Sequence, residues 1–238
     1  LKKTVTRLNQ SFLTMGTVTQ SRFLLALAMA LGLAALVGSE PGLAQSSGGD
    51  RGAFPGRRVG GGTRGNCAID SRSLAALNPA SNLGVTASDR PSLYFSVPTA
   101  ATPYHGQFIL HDADENRLYE TTLVAGAEPL VGVHLPANLV NSDQDYHWYF
   151  VVACNPRDLS QNVVLEGWLR RVPLTTAPAD TALVETQLDL VETYQAQGLW
   201  SDAIALLVEL RQAHPDNALV QAQWNRLLET LDLATVVQ

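Results

Sequence analysis

Between Pro91 and Val172 the chain alternates apolar and polar residues with a period of two, the pattern of strands that bury one face. Leu93, Phe95 and Val97 alternate with Tyr94 and Ser96. Phe108 and Leu110 flank Ile109, and Val131, Val133 and Leu135 flank Gly132 and His134. The clearest run puts Tyr146, Trp148, Phe150, Val152 and Cys154 on one face, with His147, Tyr149, Val151 and Ala153 on the other. Val163, Leu165, Gly167 and Leu169 then oppose Val164, Glu166, Trp168 and Arg170. Turn-forming residues separate the runs at 98–103, 112–116, 126–129, 141–145 and 155–158. Six short strands at this spacing predict an antiparallel β-sandwich over 67–173.

After the prolines of 173–178 the period lengthens to that of a helix. Val184, Leu188 and Val191 recur at i, i+4 and i+7, and Gly198 breaks the run. Ser201 is a candidate cap for a second helix carrying Ala203, Leu207 and Leu210, which Pro215 stops. Val220, Trp224, Leu227 and Leu231 form a third stripe. Tyr194, Gly198, Ala203 and Pro215 sit at the offsets of one tetratricopeptide unit, although the Trp and Leu-Gly of its first helix are missing. The reading is a small three-helix, tetratricopeptide-like unit over 180–234. Fewer than three such repeats rarely stand alone, so the unit must lean on the sandwich or on a partner.

Residues 23–37 (FLLALAMALGLAALV) carry no charge. Lys2, Lys3, Arg7 and Arg22 precede them, and small residues follow to Ala44. This is the layout of a secretory signal peptide over 1–44, with Met15 a candidate start, and it is short for a membrane span. Processing after Ala44 would leave no stable span. Residues 45–66 are rich in Gly, Ser and Arg and predict a flexible arm.

Export changes the meaning of the cysteines. Cys67 and Cys154 are the only two in the chain, and in an oxidising compartment an even pair predicts a disulfide. Residues 45–238 hold twelve arginines, no lysine and 21 acids, a net charge of −9. That balance argues against nucleic acid or an anionic membrane as partner. Five arginines fall within 51–72, whereas 180–238 holds nine acids against Arg211 and Arg226.

The string RGAFPGRRVGGGTRG over 51–65 resembles the opening motif of an exported cyanobacterial family catalogued as domain of unknown function 928. The resemblance continues through Asn66-Cys67, the LAAL of 74–77, Asp89-Arg90-Pro91, Tyr146-His147-Trp148, Cys154-Asn155-Pro156 and Glu166-Gly167-Trp168. It implies an exported protein of a photosynthetic bacterium and supplies no activity. Residues 139–146 also look like the corner before the F strand of immunoglobulin- and fibronectin-like domains. There a tyrosine ties its hydroxyl back to the loop, which assigns that role to Tyr146.

No catalytic constellation stands out. Asp112-Ala-Asp114-Glu115-Asn116 opens like a calcium loop, but Arg117 and Leu123 replace its Gly and bidentate Glu, so a polar hairpin turn explains it better. His105, His111, His134 and His147 lack metalloprotease spacing, and no metal or other cofactor is expected. The glycines of 60–65 lack the Lys-Ser/Thr ending of a phosphate loop. No Gly-x-Ser-x-Gly elbow is present. Arg57, Arg58 and Arg64 remain as candidate cationic contacts on the arm. Tyr149 and Trp168 are candidate aromatic contacts on a sandwich face, with packing of Trp168 beneath the helices as the alternative. The expectation is a non-catalytic binding protein of the periplasm or cell surface. Its partner would be a protein met by the arm or helical groove, or else a sheath or wall glycan met near Tyr149 and Trp168. A hydrolase comes third.

Overall fold

The computed structural model describes residues 54–61, 67, 69–155, 158–173 and 183–237. The expected signal peptide and Arg64 lie outside these residues. Eight strands and three helices follow in chain order: β1 (Ala75–Ala76), β2 (Leu83–Thr86), β3 (Ser92–Ser96), β4 (Tyr104–His111), β5 (Arg117–Ala125), β6 (Leu130–His134), β7 (Asp145–Val152), β8 (Val163–Arg171), α1 (Val184–Ala196), α2 (Trp200–Ala213) and α3 (Ala218–Thr230). The strands form a three-stranded sheet in the order β1-β3-β6 and a five-stranded sheet in the order β2-β8-β7-β4-β5. One pairing departs from the antiparallel expectation: β2 runs parallel to β8, with Leu83 opposite Trp168 and Thr86 opposite Arg171. The chain reaches β3 from β2 through Asp89-Arg90-Pro91, so β2 returns to the first sheet by a sheet-to-sheet crossing rather than a hairpin.

The period-two pattern does what it predicted. Phe95, Phe108, Leu110, Trp148, Phe150, Leu165 and Leu169 are fully buried between the sheets. The Phe95 ring stacks on Phe150 at 4.3 Å and meets Trp148 edge-on at 5.5 Å. At about 25 cal/mol per Å² of apolar surface, burial of such rings is the main favourable term for a sandwich of this size. Tyr146 holds the corner as expected. Its hydroxyl accepts from the Asn141 N–H at 2.8 Å and donates to Gln144 Oε1 at 3.1 Å. Cys67 and Cys154 are bonded, with Cα atoms 4.7 Å apart, which fastens the incoming chain just beyond the end of β7.

The described part of the predicted arm is not a free arm. Arg57 O accepts from Glu166 N of β8 at 2.9 Å, and Arg58 O accepts from Ala76 N of β1 at 2.7 Å. Gly60 N then donates to Leu74 O at 2.7 Å, and a side chain at Gly60 would collide with the Ser71 carbonyl. Residues 54–60 therefore run from the edge of one sheet to the edge of the other and close the side of the sandwich. Their backbone groups find partners there that a solvated arm would not need.

A second core lies outside the sandwich. Ala75, Leu77 and Tyr94, on the outer face of the three-stranded sheet, join Val191, Ala203, Ile204, Leu207, Trp224 and Leu227 of the helices. The stripes of α1, α2 and α3 thus bury against one another and against that sheet, which satisfies the need for support. Gly198, at φ +74°, makes the left-handed turn between α1 and α2. Ser201 is not the cap of α2: the helix begins at Trp200 after Leu199, without a capping side chain, and Ser201 is buried facing Gly84. Asn217 does cap α3, accepting from Leu219 N and Val220 N. Arg58 ties the layers together. Its guanidinium donates to Leu231 O at 2.6 Å, beyond α3, and to Asn78 O at 3.4 Å, and lies 3.9 Å from Asp232.

Candidate functional site

With helices over one sheet, the outer face of the other is the broad sheet surface left open among the described residues. Side chains there are set by strand register. His111 of β4, His147 of β7, Trp168 of β8 and Leu83 of β2 are successive cross-strand neighbours in one row. Ile109, Tyr149 and Glu166 form the next row, and Gln107, Val151 and Val164 the one after. The alternation that buries Trp148 and Phe150 necessarily turns His147, Tyr149 and Val151 outward.

The first two rows make an aromatic ribbon. The Trp168 indole stacks on the His147 imidazole with centroids 4.3 Å apart and planes within 5°. Phe54 meets the indole at 5.4 Å, and Tyr149 meets His147 at 4.3 Å and His111 at 5.4 Å. Trp168 Nε1 donates to Pro55 O at 3.0 Å, so the closing segment is fixed to the ribbon. At the end of the face Asp145 receives both Arg170 Nε and Nη2, a bidentate pair, and Arg170 also lies 5.7 Å from the Phe54 ring.

Glu115 is the residue that sequence reasoning missed. It sits in the β4–β5 turn at φ +61°, a left-handed conformation uncommon for glutamate. Asp112 shapes that turn: its Oδ1 accepts from Asp114 N and Asn116 N, each at 2.9 Å. The calcium-like string is thus a polar hairpin whose leading carboxylate is engaged by its own backbone. The turn returns Glu115 over the ribbon, where Oε1 lies 2.9 Å from His147 Nδ1 and Oε2 lies 3.0 Å from His111 Nδ1. These bonds to His147, then to His111, hold the Glu115 carboxyl below its ordinary pKa. The Tyr149 hydroxyl lies 3.0 Å from the same His147 nitrogen, and its pKa is raised by burial and by the Glu115 and Glu166 charges. His147 is 8 % exposed, and its Nε2 has no hydrogen-bond partner, with Glu166 Oε2 at 3.8 Å. Among the described residues no three His, Cys, Asp or Glu side chains are arranged to hold a metal ion.

The predicted contact residues therefore fare differently. Tyr149 and Trp168 come together on the open face, and Trp168 is not beneath the helices, which cover the opposite sheet. Arg57 is exposed; its backbone is bonded to β8, but its guanidinium lies against Gly61. Arg58 is half-buried and engaged by the end of the helical layer, so it is not a free cation.

Residues 59–238 match the family model described as Domain of Unknown Function (DUF928). The chain belongs to this family. The DUF928 match opens at Val59, within the closing segment, and takes in the disulfide, both sheets and all three helices. No curated protein matches the chain. Among solved structures it is similar to the fn3 domain of human collagen alpha-1(XX) chain, at 10% identity over 51% of this chain and 100% of that one, with a TM-score of 0.27. At that score the likeness carries no weight for the fold. No helix among the described residues is long and apolar enough to cross a membrane.

Proposed function

We propose that this DUF928 chain is an exported, non-catalytic module of the cell envelope of a photosynthetic bacterium that binds a protein partner through the open face of its five-stranded sheet. One observation carries the reading. Helices cover the outer face of the three-stranded sheet, whereas the other outer face presents the aromatic ribbon together with Leu118, Val124 and Val164, three of the six large apolar side chains that are markedly exposed among the described residues. The described part of the arm, 54–61, and the helical stripes, surfaces first expected to meet a partner, are engaged within the fold. Export is supported by the apolar run of 23–37 with its basic and small flanks and by the Cys67–Cys154 bond.

The finer architecture belongs to the same proposal. The order β1-β3-β6 over β2-β8-β7-β4-β5, with Tyr146 at the corner, supports an immunoglobulin- or fibronectin-like sandwich. Gly198 at the α1–α2 turn and Pro215 after α2 support a tetratricopeptide-like helical pair. The glycan reading is the weaker one, because the indole face that stacks on His147 is not available to a sugar ring. The absence of catalysis is proposed because the carboxylate nearest the imidazoles, Glu115, bridges two of them rather than facing an open cleft.

Capture from envelope extracts tests the reading. Val151→Glu with Val164→Glu places two charges on the open face, and Leu219→Glu places one on α3. Loss of the captured partner with the first pair alone supports the proposal; capture that survives it, or that fails only with Leu219→Glu, overturns it.

A further inference from the structure

We propose that β5 is the edge through which two copies of this chain pair, antiparallel, about a two-fold axis at Thr121. β5 is the outermost strand of the five-stranded sheet, and nothing pairs with its far side among the described residues. The other edges are guarded. β2 lies under α2, with Thr86 bonded to Asp202; β1 is covered by residues 58–60; and β6 is five residues long, with Leu130 packed into the helical core. β5 is nine residues long and contains no Pro or Lys, two of the residues that blunt an exposed edge, and its two charges, Arg117 and Glu120, are paired with each other. Its one irregularity in pairing with β4 falls at Leu110/His111, at the hairpin end, and leaves 119–125 regular.

The strand is self-complementary. Laid antiparallel on itself about Thr121, its regular part puts Tyr119 opposite Leu123 and Glu120 opposite Thr122, and brings Leu118, the residue skipped in the pairing with β4, near Val124. Leu118 and Val124 are 40 % and 64 % exposed in the single chain, and each would cover the other twice across the axis. Tyr119 and Leu123 point inward but are only partly buried, because β5 overhangs a facing sheet of three strands. A second copy supplies the missing apolar neighbours on both faces. The one acid of the strand does not oppose this, since Glu120 is already bonded to Arg117 and Gln107 of its own chain. The pairing would join the two open faces into one continuous ten-stranded surface.

A contact of one strand per copy is small, so association belongs in the micromolar range. Sedimentation velocity on the full chain with its disulfide intact, from about 1 to 100 µM, should show a monomer passing to a dimer. Leu118→Lys with Val124→Lys sets like charges near each other twice and should abolish the dimer while leaving the thermal midpoint in place, since both positions are exposed. A monomer throughout the range overturns the proposal, as does a dimer that the two lysines leave unchanged. Register has its own check. Mixed Glu120→Cys and Thr122→Cys chains should cross-link to each other faster than either does to itself; equal rates in a dimeric mixture overturn the two-fold at Thr121.

Discussion

The Trp168 indole and the His147 imidazole stack face to face across the β7–β8 pair, and this contact fixes the closing segment as well as the open face. The indole N–H holds Pro55 O, and its ring meets Phe54. Trp168→Ala would remove the stack, the hydrogen bond and the Phe54 contact together, at a cost of about 2 to 4 kcal/mol for a half-buried aromatic with these partners. Thermal unfolding should show the loss, and hydrogen exchange should rise at the amides of Arg58-paired Ala76 and of Gly60. An unchanged midpoint with protected amides would show that the segment is held by its backbone alone.

The disulfide closes a span of 87 residues, so in the chain-entropy model it restricts the unfolded state by on the order of 4 to 5 kcal/mol. Cys67→Ser with Cys154→Ser should lower the thermal midpoint by roughly 10 to 15 °C for a chain of this size. Reduction of the wild type should reproduce that shift. Coincident melts with and without reductant would mean that the bond adds nothing to the packing around it.

How much of this was legible in the sequence depends on contrast. β7 and β8 could be read because Trp148 and Phe150 are buried while Tyr149, Glu166 and Arg170 are not. β5 was marked only by the turn formers on either side of it, because Tyr119 and Leu123 on its inner face are only half covered, and Leu118 and Val124 on its outer face are apolar, so the alternation is washed out. β1 and β2 are short, and Asn78-Pro79 and Gly84 break any period. Gly and Arg in 54–60 read as flexibility, yet flexibility is a property of unpaired backbone, and this backbone is paired to two sheets. Periodicity set Trp168 outward without revealing which outer face the helices would cover; that depends on where the chain turns after β8. Glu115 left no pattern at all, since its place comes from a left-handed turn rather than from spacing.

Glu115 gives the open face a pH dependence. Its bonds to His147 and His111 lower its folded pKa, so its ionised form stabilises the fold above its ordinary value of 4.5, and that contribution is lost as pH falls through the lowered folded value. The effect is small for an exposed carboxylate. The stability difference between wild type and Glu115→Gln should therefore shrink on acidification from about pH 6 to pH 3, measured by denaturant melts. A difference that stays constant over that interval would mean the two imidazoles do not favour the carboxylate.

Asp202 should behave with the opposite sign. It sits in the first turn of α2, where Oδ1 accepts from Thr86 Oγ1 and Oδ2 from Ala87 N, each at 2.6 Å, joining the helical layer to the end of β2. Burial outweighs these bonds and raises its pKa above the ordinary 3.8. A carboxyl raised in the folded state contributes most below its unfolded pKa, and that contribution falls as pH rises through the folded value. Asparagine keeps one acceptor and has no proton to lose, so Asp202→Asn removes the pH-dependent part. The stability of wild type relative to Asp202→Asn should therefore be greater near about pH 4 than near about pH 7. An advantage that grows toward neutral pH would show that the Thr86 and Ala87 bonds, with the α2 dipole, outweigh desolvation at this junction.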